Sequence, residues 1–170
     1  MTCLALPGSF RADSSNRKLL QYLQRTYPAA NLDITFAAKD LPLFNSLLDA
    51  SFTNDYLDQL KNQINKADAI LICTPEYLHG MPAVLKNMFE WCHQWDALAG
   101  KRIVPLCYTP SAPRGEKAMQ TLLWTLEALS ASVPGNLIIH HTDISFNSYG
   151  ELINNENPEL LDTLFELLVP

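Results

Sequence analysis

The chain has 170 residues, 48% of them apolar and 18% charged, with a formal net charge of −6. That length suits one domain with a single sizeable core, and the negative balance argues against nonspecific nucleic-acid binding, which needs a basic face. No apolar run approaches the roughly 18 residues of a membrane helix, and Met1 leads into Cys3-Leu4-Ala5-Leu6-Pro7 without the basic region and long apolar stretch of a secretory signal.

Residues 2–6 read as a short buried strand ended by Pro7-Gly8, and 9–16 as a polar loop. A helix opens at Asn16, with Leu19, Leu20, Leu23 and Tyr27 at helical spacing, and Pro28 stops it. Residues 32–37 alternate, predicting a half-exposed strand toward a sheet edge. Residues 40–51 form an irregular crossing segment containing Leu41-Pro42-Leu43-Phe44-Asn45. A helix follows over 54–66, striped by Leu57, Leu60 and Ile64 with Tyr56 beside them. The third strand, 69–73, is unbroken apolar sequence and runs into a loop with two prolines, a glycine, an aromatic, a carboxylate and an imidazole.

A helix then spans about 82–93. The fourth strand is 101–108, and Pro105 inside it predicts a bulge or an edge position. After a loop at 109–116, a helix over 117–131 carries Met119, Leu122, Leu123, Leu126 and Leu129 on its apolar side. Residues 136–140 form a fifth strand and 159–168 a final helix. Strands alternating with helices argue for a parallel sheet covered on both faces. Right-handed crossovers make this an α/β, flavodoxin-like three-layer sandwich of strand order 2-1-3-4-5, one domain over residues 1–170. In that order the switch point lies between strands 1 and 3, and ligands sit beyond their carboxyl ends. The two most unusual loops, 9–16 and 75–80, follow those two strands.

Gly8-Ser9-Phe10-Arg11-Ala12-Asp13-Ser14-Ser15-Asn16-Arg17 has the parts of a phosphate cradle. Gly8 permits a tight turn and close backbone approach. Ser9, Ser14 and Ser15 offer hydroxyls, Asn16 an amide, and Arg11 and Arg17 charge, at a helix start that favours anions. The alternative is an ordinary N-cap with solvated arginines. Neither GxxxxGK[ST] nor GxGxxG is present. In the second loop Pro75 fixes the chain leaving the strand, and Gly80 lets backbone approach a flat ring. Tyr77 offers an aromatic surface for a ligand, the core or a subunit contact. Glu76 either ties the loop to its own backbone or a neighbouring helix, or transfers protons. His79 is a surface loop residue or an acid.

Together these residues resemble the NADPH-dependent FMN reductase family, the flavodoxin-like quinone, azo and chromate reductases. The resemblance rests on Gly8-Ser9-x-Arg11-x-x-Ser14-x-Asn16, on Leu41-Pro42-Leu43-Phe44-Asn45, and on Pro75-Glu76-Tyr77 followed by Gly80, Pro82, Leu85-Lys86-Asn87 and Trp91. It implies that Ser9, Arg11, Ser14 and Asn16, with Ser15 beside them, hold the FMN phosphate. It also implies that Pro75, Glu76, Tyr77, Leu78, His79 and Gly80 border the isoalloxazine ring, largely through backbone groups. Ser111, in the loop after the fourth strand, is a further candidate cofactor contact. The family commonly has Asn where this chain has Leu78, so an amide that could bond the ring edge is absent. The family's glycine-rich loop after strand 4 is here Thr109-Pro110-Ser111-Ala112-Pro113-Arg114-Gly115, stiffened by its prolines.

The expected activity is FMN-dependent transfer of electrons from NADPH or NADH to a small-molecule acceptor: a quinone, azo compound, flavin or similar molecule. The chemistry belongs to the cofactor, so no side-chain nucleophile or catalytic residue is expected. Arg11, Arg17 and Arg114 are candidates for a nicotinamide-nucleotide phosphate. The alternative is a non-enzymatic flavodoxin-like electron carrier or partner-binding module with weakened flavin binding. Cys3, Cys73, Cys92 and Cys107 show no CxxC or finger spacing and read as reduced thiols of a cytoplasmic protein. His140-His141 is a poor metal pair, since adjacent strand side chains point to opposite faces, and no metal site is expected. No nucleic-acid or membrane partner is expected. The helix from Pro82 buries Leu85, Met88, Phe89 and Cys92, with Trp91 and Trp95 nearby. This face reads as core packing and part of it as a subunit interface, since members of the family are often dimers or tetramers, so a homodimer or homotetramer is expected.

Overall fold

Strand β3 (Ala69–Thr74) is buried along its whole length because helices cover both faces of the sheet. The computed structural model describes residues 1–47, 52 and 54–169. The central sheet is parallel, in the order β2-β1-β3-β4-β5. Its other strands are β1 (Cys3–Pro7), β2 (Leu32–Ile34), β4 (Arg102–Thr109) and β5 (Leu137–His140). Helices α1 (Ser15–Thr26) and α5 (Glu159–Leu168) bury Leu19, Leu20, Leu23, Leu161 and Leu164 against one face. Helices α2 (Asp55–Lys66), α3 (Ala83–Gln94) and α4 (Glu116–Ala128) bury Leu60, Ile64, Met88, Phe89 and Leu122 against the other. Burial at helical spacing thus turns each amphipathic stripe into one layer of the sandwich. Among the described residues no helix is long and apolar enough to cross a membrane.

Three details depart from the sequence reading. First, β2 ends at Ile34: among the described residues it pairs with β1 over Leu32–Ile34, and the Thr35 amide makes a last bond to the Ala5 carbonyl. Beyond that the chain turns through a 3-10 segment (Ala37–Asp40), and Phe36 packs on Phe10 at 6.5 Å. Second, Pro105 is neither at an edge nor in a bulge: β4 is interior, and Pro105 pairs in register with Ile72. Ile103 donates to Ser132 and Thr109 accepts from His141, so the odd-numbered residues of β4 turn their backbone groups toward the β5 side. Pro105 faces that side before β5 starts pairing at Leu106↔Leu137, where no strand needs its missing N–H.

Third, a small antiparallel hairpin, β6 (Ile144–Phe146) and β7 (Leu152–Asn155), occupies a stretch with no predicted element. The Tyr108 hydroxyl donates to the Ile144 carbonyl at 2.6 Å, Lys18 donates to the Asn147 carbonyl at 3.0 Å, and Phe146 packs on Tyr22. Trp91 is only 2% exposed, against Phe44, Phe52 and Trp95, in keeping with the reading of this helix face as packing within the chain. Residues 48–51, part of the expected crossing segment, lie outside the described residues. The preceding part is pinned to α3: Asn87 donates to the Pro42 carbonyl (3.0 Å) and accepts from the Phe44 amide (2.8 Å), while the Trp91 indole also donates to Pro42.

Candidate active site

Where β1 ends, the Gly8 amide donates to the Cys73 carbonyl at 2.7 Å, carrying the ladder one residue past the strand. A Cβ on Gly8 would stand 2.6 Å from Thr74 Oγ1 and 3.0 Å from Thr74 Cα. Glycine is therefore needed for close approach to β3. The chain then turns into α1 with Ser9, Ser14 and the Asn16 side chain all buried. Ser14 is the N-cap in extended conformation, yet its side chain caps nothing, and the first turn holds no acidic residue. The amides of Ser15, Asn16 and Arg17 thus stand at a helix start with no partner within the helix. Ser15 and Asn16 border a cavity of about 240 Å³ that Ser9, Arg11, Asp13, Ser14 and Pro75 also line.

Two polar groups there are already engaged. Arg11 makes a two-bonded ion pair with Asp13 (2.8 and 3.1 Å). The Asn16 side-chain NH₂ donates to the Tyr108 carbonyl (2.8 Å), bracing α1 to β4, while its Oδ1 is buried without a partner. What Asn16 retains toward an anion is its backbone N–H, and toward a hydroxyl group that spare acceptor. Arg17 points elsewhere, stacking on Phe36 at 4.6 Å.

The loop after β3 is a tight hairpin. Tyr77 and Gly80 exchange both backbone hydrogen bonds at 2.9 Å, and Leu78 and His79 between them have φ of 49° and 63°. Two consecutive left-handed residues define a type I′ turn, a position that favours Asn and Gly. Leu78 is wholly exposed. At the base of the hairpin, Glu76 turns inward with 9% of its side chain exposed. Its Oε2 accepts from the Gly115 amide (3.0 Å) and the Ala118 amide (3.1 Å), and its Oε1 lies 3.5 Å from His79 Nδ1. Burial pushes this carboxyl's pKa up, but the Ala118 and Gly115 amides and His79 outweigh it and leave it below the ordinary value. Glu76 therefore caps α4 from another loop and stays ionised. Its tie to a neighbouring helix is the geometry found, and its oxygens are occupied.

Gly115 makes that cap possible: its φ is +106°, and a Cβ would lie 2.9 Å from Ile138 Cγ2. Between the hairpin and the start of α4 opens a cleft of about 770 Å³. Glu76, Tyr77, Leu78 and His79 line it on one side; Pro113, Arg114, Glu116 and Lys117 line it from the loop after β4.

The predicted residues thus fall into two groups joined by Tyr77, which lines both cavities. Ser9, Arg11, Ser14, Ser15, Asn16 and Pro75 surround the first; Glu76, Leu78 and His79 border the second. Gly80 and Ser111 line neither. Gly80 closes the hairpin, with nothing nearer its missing Cβ than Tyr77 O at 3.9 Å. Ser111 is exposed, its carbonyl accepting from the Arg114 amide. Sequence reasoning passed over Asp13, whose partner is two residues away, and Glu116 and Lys117. The signal for the latter pair was topological: the loop after β4 adjoins the one after β3.

A family model described as NADPH-dependent FMN reductase matches residues 1–143. The NADH:(hydroxy)cinnamate reductase subunit CrdA of Vibrio ruber is 31% identical, over 99% of this chain and 86% of its own. NADH-dependent flavin reductase subunit 2 of Lactobacillus johnsonii is 28% identical, over 99% and 96%. Among solved structures, the flavoenzyme NAD(P)H:(acceptor) oxidoreductase FerB of Paracoccus denitrificans superposes with a TM-score of 0.76 at 24% identity, covering 98% of this chain and 94% of that one. That likeness shows the flavodoxin-like fold. The family match spans all five strands of the central sheet and both loops at its switch point, so the chain belongs to the NADPH-dependent FMN reductase family and is an FMN-dependent NAD(P)H oxidoreductase.

Proposed function

We propose that the two adjoining cavities form one FMN site, with the phosphate at the start of α1 and the ring system in the cleft beside the Tyr77–Gly80 hairpin. The observation that carries this reading is the uncapped N-terminus of α1: buried Ser9 and Ser14, and first-turn amides with no acidic residue among them. The residues fit FMN. A phosphate monoester suits the amides and hydroxyls, a ribityl hydroxyl suits the buried Asn16 Oδ1, and the cleft of about 770 Å³ has the volume for a tricyclic ring. When bound, FMN supplies the relay of electrons between nicotinamide donor and acceptor.

The chain's own residues bind, orient and exclude water. Ser9, Ser14 and Ser15 meet the phosphate, with Arg11 screening its charge at the rim. Pro75 and Tyr77 join the two cavities, and Glu76 holds the cleft's two loops in register. Arg114 and Lys117 meet the phosphates of NADPH or NADH. Donor and acceptor use the same cleft in turn, and the acceptor is a quinone, flavin or related molecule. This follows the names of relatives such as the 2-hydroxy-1,4-benzoquinone reductase of Burkholderia, 27% identical over 94% of this chain and 89% of its own. Residues 1–170 act as one FMN-binding domain, assembled as a homodimer or homotetramer in the cytoplasm. Four buried free cysteines support the last point.

One titration tests the site. FMN added to purified wild-type protein should show a perturbed flavin spectrum that NADPH or NADH bleaches. In the Ser9→Ala/Arg11→Ala double variant the FMN dissociation constant should rise at least about tenfold, or about 1.4 kcal/mol. Unchanged affinity with an intact fold removes the cradle assignment.

A further inference from the structure

We propose that Leu78 is the residue with which this enzyme selects planar, conjugated-ring electron acceptors, its side chain packing on the acceptor's ring at the mouth of the cleft. The proposal rests on the FMN reading above. Leu78 breaks two local rules at once. Its backbone is left-handed (φ 49°), a conformation that leucine adopts with difficulty and that Asn or Gly adopts readily. Its side chain is 101% exposed and belongs to none of the apolar clusters of the core. Folding therefore gains nothing from this side chain and is opposed by its backbone. Strain held at one point by its surroundings marks a functional position.

The surroundings do hold it. Tyr77 and Gly80 lock the turn with paired backbone bonds, and Glu76 fastens its base to α4. The leucine is thus presented on a rigid mount at the rim of the cleft of about 770 Å³. Beside it lies the half-exposed Tyr77 ring, and across the cleft stands Pro113. These three apolar surfaces suit a flat ring. Arg114 and Lys117 line the same space and favour electron-rich oxygen substituents on that ring; Glu116 faces the cleft with them, so the preference is for polar oxygens over a high net charge.

The test compares acceptors of different shape in the FMN-loaded enzyme. Duroquinone is the planar-ring acceptor and ferricyanide the compact hydrophilic one. In Leu78→Asn the ratio of kcat/KM for duroquinone to that for ferricyanide should fall about tenfold, through KM, and Leu78→Met should keep it within twofold. Without NAD(P)H, the dissociation constant of duroquinone for the oxidised enzyme should rise by the same factor. The melting temperature of Leu78→Asn should rise by about 2–4 °C as the left-handed strain is relieved. A ratio within twofold of wild type in an active enzyme overturns the proposal. So does a change of oligomeric state on sedimentation with the ratio unmoved, which would assign Leu78 to a subunit contact. Wild-type protein that neither binds FMN nor oxidises NADH or NADPH instead overturns the reading beneath it.

Discussion

Removing the Glu76 carboxylate should loosen two loops and one helix together. Its Oε2 is the acceptor for the amides of Gly115 and Ala118, at 3.0 and 3.1 Å, in a side chain 9% exposed. Hydrogen bonds to a charged partner contribute about 1.5–3 kcal/mol each, and an N-cap about 0.5–2 kcal/mol. Because water can reach part of the opened site, Glu76→Ala should cost about 2–4 kcal/mol in all. That is a large share of a typical stability of roughly 5–15 kcal/mol. Glu76→Gln keeps an oxygen acceptor but loses the charge, and should cost about 1 kcal/mol. Urea unfolding reads both values once each variant's ligand contribution, RT ln(1 + c/Kd) at FMN concentration c and with its own measured Kd, is subtracted. Acid supplies an independent check. The folded carboxyl titrates below its ordinary value near 4.5, so its stabilisation is complete above that value and disappears as pH falls through the lowered one. Wild type should therefore exceed Glu76→Gln at pH 7, and the gap should narrow as pH falls below the ordinary value and through the lowered one. A cost under about 0.5 kcal/mol for Glu76→Ala, or a gap that does not narrow in acid, refutes the cap.

The remaining predictions concern the supports of the same site. Gly8→Ala forces a methyl to 2.6 Å from Thr74 Oγ1, so it should cost about 1–3 kcal/mol by thermal unfolding and weaken FMN binding as Ser9 shifts. Asn87→Ala removes two bonds to the crossing segment and should cost about 1–3 kcal/mol. Limited proteolysis should then cut between residues 41 and 47 faster, with the residual bond from Trp91 to Pro42 slowing full release.

The sheet was readable because each helix announces its buried stripe and each inner strand is continuously apolar. Leu57, Leu60 and Ile64 on α2 and Ala69 to Cys73 on β3 sit where their spacing puts them. The two loops at the switch point were readable for the same reason, since strand order dictates which loops converge. What spacing could not reveal depends on distant partners. Glu76 meets amides 39 and 42 residues away, and Pro105 is tolerated because a neighbouring strand starts late. The β6–β7 hairpin is too short and too polar to stand out, and it is held by Tyr108 and Lys18 from other elements. Leu78 was visible as a departure from the family pattern, read as a lost amide. The turn geometry adds a backbone reason: Asn relieves a left-handed residue that leucine strains.

Two helix N-termini, those of α1 and α4, begin just past strands of the central sheet. Each could attract an anion, since both present free amides and the positive end of a helix dipole. The chain treats them oppositely. At α4 it supplies its own anion, Glu76, and adds Glu116 in the first turn. At α1 it supplies none in the first turn, leaves Ser14 uncapped, and diverts the nearby Asp13 into a pair with Arg11. A phosphate arriving from solvent therefore meets repulsion and occupied donors at one helix, and open donors at the other. In the proposed FMN site the filled terminus fixes the cleft and the open one receives the phosphate, so that one FMN would span from α1 to the hairpin that Glu76 holds in place.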